Sequence, residues 1–412
     1  MEPRQSNLTI NPVMIVWVNM TKTFKISNLN NAEFTCHLTR LSYCAVTLKK
    51  IPMQRCEKLP NATPSTRDIL KAPEDDDTPE ELDQWLNPKQ DTDDTIAHKP
   101  YTAQKLDNGT EVYNLLAVTD LDKASVSGAM TFRAVTRKGK LIISPDKKDV
   151  KITWDKDSDR NLTTTLNVKG RAMELSDLAD FNGRLVSPDD KTGMLYEIRD
   201  NKAIPWLFLN SGPGDTTKGM KAEWVTTRGA YLYVGGHGKE FTADNGTVLD
   251  EDDMWIKIIS KRGEIKNVNW KKEYRRVRGA VNITLPGYLV HEAVQWSDKH
   301  KKWFFLPRKE SQAKFDPIQD EKRGSNLLII GDEPLKNFEV VRIGKLTNPE
   351  RGFSAMEFVP GTDDKVIVAL KSVEVANSPV ESYITVFDID GNILLKDQKL
   401  DDAYKFEAIY FV

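Results

Sequence analysis

The most restrictive feature of the chain is a series of short apolar runs that continues from Tyr113 to the end. Runs such as Tyr231–Val234, Met254–Ile259 and Val366–Leu370 are rich in β-branched and aromatic side chains. Turn-forming pairs such as Asp390-Gly391 lie between them. Short runs of this kind, bounded by turns, are typical of antiparallel strands. Since no long segment with a helical period interrupts the series, the sequence predicts an all-β region.

Polar residues recur along this region at or just before the apolar runs. Six of them follow one another at intervals of 47 to 69 residues: Asp120, Ser176, Glu223, Glu292, Ser354 and Glu407. A polar position that recurs at this spacing fits β-propeller blades, each of which brings one innermost strand to the central channel. Six positions fit either six blades or five blades in which the two chain ends meet.

Several longer motifs carry a resemblance to a known family. They are Lys169–Leu178 with Pro188-Asp189-Asp190, Lys221–Trp224, Tyr233–Glu240, Pro286–Glu292, Trp303–Arg308, Gly352–Ser354 and Val366–Ser372. In this order they resemble the calcium-activated nucleotidase (apyrase) family, over roughly Tyr113 to Val412. The resemblance implies a five-bladed β-propeller with a central calcium site, which hydrolyses nucleoside di- and triphosphates such as ADP, ATP, UDP and GDP.

The resemblance also divides the chain into two predicted regions. Residues 101–412 would form the nucleotidase propeller. Residues 1–100 would be a poorly ordered extension that includes an acidic linker, because Glu74–Glu81 and Asp91–Asp94 combine like charges with little apolar surface.

Calcium prefers oxygen ligands from carboxylates, hydroxyls and carbonyls. The resemblance implies that the central ion is surrounded by Ser176, Glu223, Glu292, Ser354 and Glu407. Taken alone, each glutamate would more often be a solvated surface residue. Three glutamates that converge on one channel would repel one another without a cation, so the set as a whole favours a metal.

A diphosphate substrate requires positive charge. Five basic residues within or near the matched motifs are candidates to bind it: Arg171, Lys239, Arg278, Arg308 and Lys371. For each of them a surface salt bridge is the alternative. Phe241 stands where many family members carry Trp, and it is the candidate for stacking on the base.

Hydrolysis also requires an oriented water molecule. Asp120, Asp122 and Asp190 match acidic positions of the family's active site and could order or deprotonate that water. Turn capping is the alternative for each, since Asp is common in turns. No Ser-His-Asp or Cys-His pattern is evident, which favours direct attack by water over a covalent intermediate.

Composition excludes several other classes of protein. The 59 basic and 61 acidic residues are balanced, so nucleic acid is not an expected partner. Three cysteines and five histidines match no zinc pattern. No apolar run reaches the roughly 20 residues that cross a bilayer. Seven Asn-x-Ser/Thr sequons favour a secreted glycoprotein, with the lumen of the ER or Golgi as the alternative.

Three questions stay open at this stage. The sequence does not decide the preferred base, and it does not decide whether the protein forms a homodimer. A non-catalytic propeller that binds nucleotides or proteins through the same channel is the rival function. The intact set of Asp, Glu and Arg residues favours the enzyme.

Overall fold

The structure, a computed structural model, describes residues 101–400 and 404–412. The predicted extension over residues 1–100 lies outside the described residues. Within the described part of the chain, none of the helices is long and apolar enough to cross a membrane.

The first sheet, blade 1, contains the longest strands of the protein. Its strands in chain order are β1 (Gln104–Lys105), β2 (Glu111–Thr119), β3 (Val126–Gly128), β4 (Thr131–Ile143) and β5 (Val150–Thr164). Blade 2 is a meander of β6 (Ala179–Phe181), β7 (Arg184–Pro188), β8 (Met194–Arg199) and β9 (Lys202–Phe208).

Blade 3 contains an inserted hairpin. Its four strands are β10 (Trp224–Arg228), β11 (Tyr231–Gly235), β14 (Trp255–Ser260) and β15 (Ile265–Asn269). The hairpin between them consists of β12 (Phe241–Thr242) and β13 (Val248–Asp250).

Blades 4 and 5 are again four-stranded meanders. Blade 4 has β16 (Tyr288–Ser297), β17 (Lys302–Ser311), β18 (Leu327–Asp332) and β19 (Phe338–Arg342). Blade 5 has β20 (Arg351–Phe358), β21 (Val366–Val373), β22 (Glu381–Asp388) and β23 (Ile393–Lys399).

The last strand, β24 (Phe406–Phe411), closes the ring. It pairs with β2, so blade 1 takes its innermost strand from the end of the chain. The innermost strands β6, β10, β16, β20 and β24 contact one another in succession around the channel. The prediction of a five-bladed propeller, with both chain ends in one blade, is confirmed.

Apolar faces between neighbouring sheets form the core. Between blades 3 and 4 it is built on tryptophans, with Trp303 edge-on to both Trp270 and Trp296. Aliphatic side chains dominate between blades 5 and 1. Burial of apolar surface between blades is the main source of stability in such a fold.

α-Helix is limited to two segments in the described residues, Lys271–Ala280 and Pro317–Asp320. The first follows blade 3 and places Tyr274 and Val277 in the core beside Trp270. These residues stand at i, i+4 and i+7, which is a helical signal. The expectation of strands alone missed it because the segment spans only three turns.

Tyr101 ties the start of the propeller to its closing strand. Its ring stacks on Tyr113 and packs against Phe411, while its hydroxyl accepts a hydrogen bond of 2.5 Å from the Asn114 amide. Blade 1 therefore gains contacts from the first described residue.

We expect a protein that begins at Tyr101 to keep the melting temperature of the full chain, because ring closure is complete within residues 101–412. A matched version that begins at Leu106 should melt a few degrees lower, since loss of the Tyr101 ring contacts costs about 1–2 kcal/mol. Thermal denaturation of the three proteins tests this. A large loss on removing residues 1–100 alone would show that they belong to the domain.

Candidate active site

Interruptions of the regular pairing direct three polar side chains toward the channel. In β16 the pairing with β17 passes from His291 to Ala293 and leaves out Glu292. In β20 it passes from Phe353 to Ala355, which leaves out Ser354. In β24 it leaves out Glu407 in the same way. Bulges of this kind re-aim side chains and are common beside active sites.

The other two predicted metal positions precede the innermost strands of blades 2 and 3. Ser176 lies before β6, where its amide donates 3.2 Å to the Pro188 carbonyl. Glu223 lies before β10, with its amide 2.8 Å from the Gly235 carbonyl. Both side chains are buried, and the Ser176 hydroxyl has no hydrogen-bond partner among the described residues.

An unbroken chain of ion pairs runs through the site. We call it the channel network, and its thirteen members are Asp120, Asp122, Arg171, Glu174, Asp190, Lys221, Glu223, His237, Glu292, Arg308, Glu374, Lys405 and Glu407. Eight members are carboxylates and five are basic. The network therefore holds an excess of negative charge in a buried place, which favours a cation that is not part of the protein.

Two basic residues connect the three predicted metal-binding glutamates. His237 Nε2 lies 2.9 Å from Glu223 and 3.2 Å from Glu292. Arg308 Nη1 lies 2.5 Å from Glu292 and 3.0 Å from Glu407. Burial acts to lower the pKa of His237, but Glu223 outweighs it and raises the pKa to about 9. His237 is therefore charged at neutral pH.

A second group of carboxylates lies beside Lys405. Its Nζ is 2.8 Å from Asp120 and 2.7 Å from Asp122. Arg171 holds Asp122 at 3.0 Å and makes a two-point contact with Glu174. Burial raises the pKa of Glu174 to about 7, although Arg171 opposes the change.

Asp190 joins the network through Lys221, which lies between it and Glu223. Its other oxygen, Oδ1, is buried and has no hydrogen-bond partner in the described part of the chain. Burial raises the pKa of Asp190 well above its usual value, although Lys221 opposes the shift. A carboxylate with one vacant oxygen and a raised pKa is suited to accept a proton.

The neighbouring Asp189 has a structural role, because its carboxylate accepts hydrogen bonds from the backbone. Its two oxygens accept backbone hydrogen bonds from Met173 at 2.9 Å and from Lys191 at 3.0 Å. Met173 has a positive φ of 61°, which is unfavourable for a side chain of this size. Asp189 therefore holds the segment that carries Arg171 and Glu174 in place.

Four residues that we predicted to bind substrate lie outside the network in the described structure. Arg278 pairs with Glu240 at 2.8 Å, and Lys371 pairs with Asp397 at 3.0 Å. Lys239 lies over the rings of Tyr288 and Phe315, and Phe241 is 42% exposed. Arg171 and Arg308 are the predicted phosphate-binding residues that do belong to the network.

Sequence reasoning missed five members of the network: Glu174, Lys221, His237, Glu374 and Lys405. Glu174, Lys221 and His237 stand inside the matched motifs, so the motifs themselves could have pointed to them. Lys405 and Glu374 lie outside the motifs and carry no such signal. Only closure of the ring by β24 brings Lys405 beside Asp120.

A second layer of polar residues lies three positions further along the innermost strands. It contains Thr226, Gln295, Glu357 and Tyr410. The Thr226 hydroxyl donates 2.7 Å to Gln295, whose amide reaches the Met356 carbonyl. Glu357 lines a cavity of about 390 Å³ with Tyr410 and Asp180. No lysine or arginine lines this cavity in the described part of the chain.

Comparisons with known proteins agree with this geometry. The apyrase family model matches residues 121–412. Apyrase apy-1 of Caenorhabditis elegans is 48% identical over 311 residues, which cover 76% of this chain and 87% of that protein. The chain belongs to the apyrase family.

Two further relatives extend the family likeness. The apyrase of Cimex lectularius is 40% identical over 76% of this chain and 86% of its own length. Soluble calcium-activated nucleotidase 1 of Rattus norvegicus is 42% identical over 73% of this chain and 74% of its own length. The residues matched by the family model include every member of the channel network except Asp120.

Glu357 should make the stability of the protein depend on pH. Burial raises its pKa to about 8, and Asp364 adds to the effect, while the Phe358 amide opposes it. In the unfolded chain the group ionises near pH 4.3. Between these values the folded state binds more protons, so the free energy of unfolding falls as the pH rises.

Glu357→Gln should remove this dependence, because an amide does not ionise and can still accept the Phe358 hydrogen bond. The variant should match the wild type near pH 4 and exceed it by roughly 1–3 kcal/mol near pH 8. Urea denaturation at both pH values measures the difference. Parallel curves for the two proteins would show that Glu357 ionises normally in the fold.

Proposed function

We propose that this apyrase-family protein hydrolyses nucleoside di- and triphosphates in a calcium-dependent reaction that releases inorganic phosphate. The observation that carries the proposal is the channel network, with eight carboxylates, five of them buried, and only five basic groups. Two relatives bear the name apyrase, and a third is named a calcium-activated nucleotidase.

The predicted metal-binding residues have the chemistry that calcium requires. Three carboxylates and two hydroxyls offer oxygen atoms only, and the Ser176 hydroxyl has no partner among the described residues. We assign Ser176, Glu223, Glu292, Ser354 and Glu407 as the residues that would hold the ion. When bound, calcium would offset negative charge on the phosphate oxygens and polarise the terminal phosphoryl group.

Arg171 would bind and orient the phosphates through Nη1, because its side chain is partly exposed and its contacts with Glu174 and Asp122 use Nε and Nη2. Arg308 is buried and fixes Glu292 and Glu407. Lys239, Arg278 and Lys371 stay proposed phosphate contacts. To contact phosphate, Arg278 would have to break its ion pair with Glu240, and Lys371 would have to break its ion pair with Asp397.

Asp190 is the preferred base for the attacking water. Its Oδ1 is vacant, and Lys221 fixes the other side of the carboxylate. Asp120 and Asp122 would orient the water or the phosphate beside Lys405. The proton leaves the water as its oxygen forms a bond to the terminal phosphorus. The bond from phosphorus to the bridging oxygen then breaks, and the shortened nucleotide departs.

Phe241 would stack on the base, since it is the exposed aromatic residue at the start of the inserted hairpin. Aromatic side chains stack on every base, so the preference for one base stays open. We also propose that the protein is secreted, with the ER or Golgi lumen as the alternative site of action. In the described structure, the sequon residues Asn108, Asn161, Asn245 and Asn282 are exposed.

Phosphate release from ADP, UDP, GDP and ATP, with and without calcium, tests the proposed function. Activity should require Ca²⁺, because Mg²⁺ demands shorter distances and near-octahedral geometry. Full activity in Mg²⁺ after rigorous removal of Ca²⁺ would contradict the calcium site. Nucleotide binding without any hydrolysis would favour the non-catalytic propeller.

Asp190→Asn and Glu292→Gln should fail in different ways, although each removes one charge with little change of shape. Asp190→Asn should lower kcat by roughly 10²–10⁴, because an amide cannot accept the proton. Its calcium-dependent rise in melting temperature should stay close to that of the wild type. Glu292→Gln should bind calcium more weakly, so that activity and thermal stabilisation return in part at higher Ca²⁺.

The opposite pattern would reverse these two assignments. Calcium rescue of Asp190→Asn but not of Glu292→Gln would make Asp190 the metal-binding residue. Wild-type activity in both variants would show that the channel is not the active site.

A further inference from the structure

Asp253 is a buried carboxylate that the mechanism does not use. It lies in a 3-10 turn, Asp252–Met254, between the inserted hairpin and β14, and it is only 6% exposed. Within residues 101–400 and 404–412, no hydrogen bond or ion pair reaches its carboxylate, whereas Asp252 accepts one from the Ser211 hydroxyl. Its carboxylate oxygens keep some solvent contact, since neither is among the fully buried polar atoms without a partner, so they are accessible to a ligand that supplies a donor.

The backbone of Asp253 is fixed to the loop that carries His237. The Gly238 amide donates 3.1 Å to the Asp253 carbonyl. Gly236 also packs against it, so closely that a Cβ there would lie 3.3 Å from the same carbonyl oxygen. Because His237 bonds to Glu223 and Glu292, Asp253 lies directly beside the channel network.

Three basic residues lie within electrostatic reach of the Asp253 carboxylate. Burial raises the pKa of Asp253, and the positive charges of His237, Lys221 and Lys218 oppose this shift. His237 and Lys221 belong to the channel network. Lys218 lies on the other side, with its Nζ 5.3 Å from the centroid of the Phe241 ring. Asp253 therefore lies near positive charges of the channel network and near Lys218, which lies beside Phe241.

We propose that Asp253 accepts a hydrogen bond from the ribose hydroxyls of the substrate and so selects ribonucleotides over 2′-deoxyribonucleotides. This inference rests on the proposed function. In a nucleotide the ribose separates the phosphates from the base, so a carboxylate near both the channel network and Lys218 is within range of a ribose bound there. A carboxylate repels phosphate and base carbonyl oxygens but accepts from hydroxyl groups, as acidic residues do in dinucleotide-binding proteins.

The decisive experiment compares phosphate release from ADP, 2′-deoxy-ADP and 3′-deoxy-ADP by the wild type, Asp253→Asn and the matched control Asp252→Asn. The wild type and Asp252→Asn should prefer ADP over at least one deoxy substrate by roughly tenfold or more in kcat/KM. In Asp253→Asn this ratio should fall toward one, mainly through a higher KM for ADP. Hydrolysis of tripolyphosphate, which has no ribose, should stay within about twofold of the wild type.

Equal kcat/KM values of the wild type for ADP and both deoxy substrates would overturn the assignment, and this comparison needs no variant that might misfold. A change among ADP, GDP and UDP in Asp253→Asn, with the ribose preference intact, would place Asp253 against the base instead. Absence of phosphate release from every nucleotide would overturn the proposed function separately. Calorimetric binding of ADP and 2′-deoxy-ADP would then still decide whether Asp253 recognises ribose.

Discussion

The pairing of β24 with β2 is the contact on which the site depends. It closes the ring of blades, and it also brings two residues from the end of the chain beside two from its first sheet. The Asp120 amide donates to the Lys405 carbonyl at 2.9 Å, and the Lys405 side chain reaches the Asp120 carboxylate at 2.8 Å. Glu407, which follows on β24, reaches Arg308 in blade 4. Ring closure and assembly of the channel network are therefore one event.

The charges of the network are stabilised by pairing with one another, although only Glu292, Arg308 and Glu407 of its thirteen members lie on strands. Each basic group contacts at least two carboxylates, so every carboxylate of the network has a positively charged neighbour. An isolated buried carboxylate would be protonated or would force the channel open. The excess of acid over base nevertheless remains, and with burial it raises the pKa of Glu407 and Asp190. A divalent cation would lower this electrostatic cost, which links occupation of the proposed metal site to stability.

The architecture could be predicted from the sequence because polar residues recur at the spacing of the blades, from Asp120 near the first blade to Glu407 near the end of the chain. The recurrence of Ser176, Glu223 and Glu292 marks the innermost strands, with Ser176 and Glu223 just before β6 and β10 and Glu292 within β16. This position decides which residues can meet. Pairing partners are harder to predict, because a side chain may face the channel or a neighbouring strand within the same blade. Lys371 pairs with Asp397 in blade 5 for this reason. Lys405 was missed because its partners are far away in sequence and no local pattern marks it.

The two polar layers of the innermost strands differ in charge, so the two ends of the channel are not equivalent. Bulges at Glu292, Ser354 and Glu407 aim the first layer inward, and the second layer follows three residues later on the same strands. The first layer is dense with charge, whereas Thr226 and Gln295 satisfy each other in the second as neutral groups. Burial also keeps Glu357 protonated until a pH of about 8. The first layer therefore offers a cation a more negative environment than the second layer does.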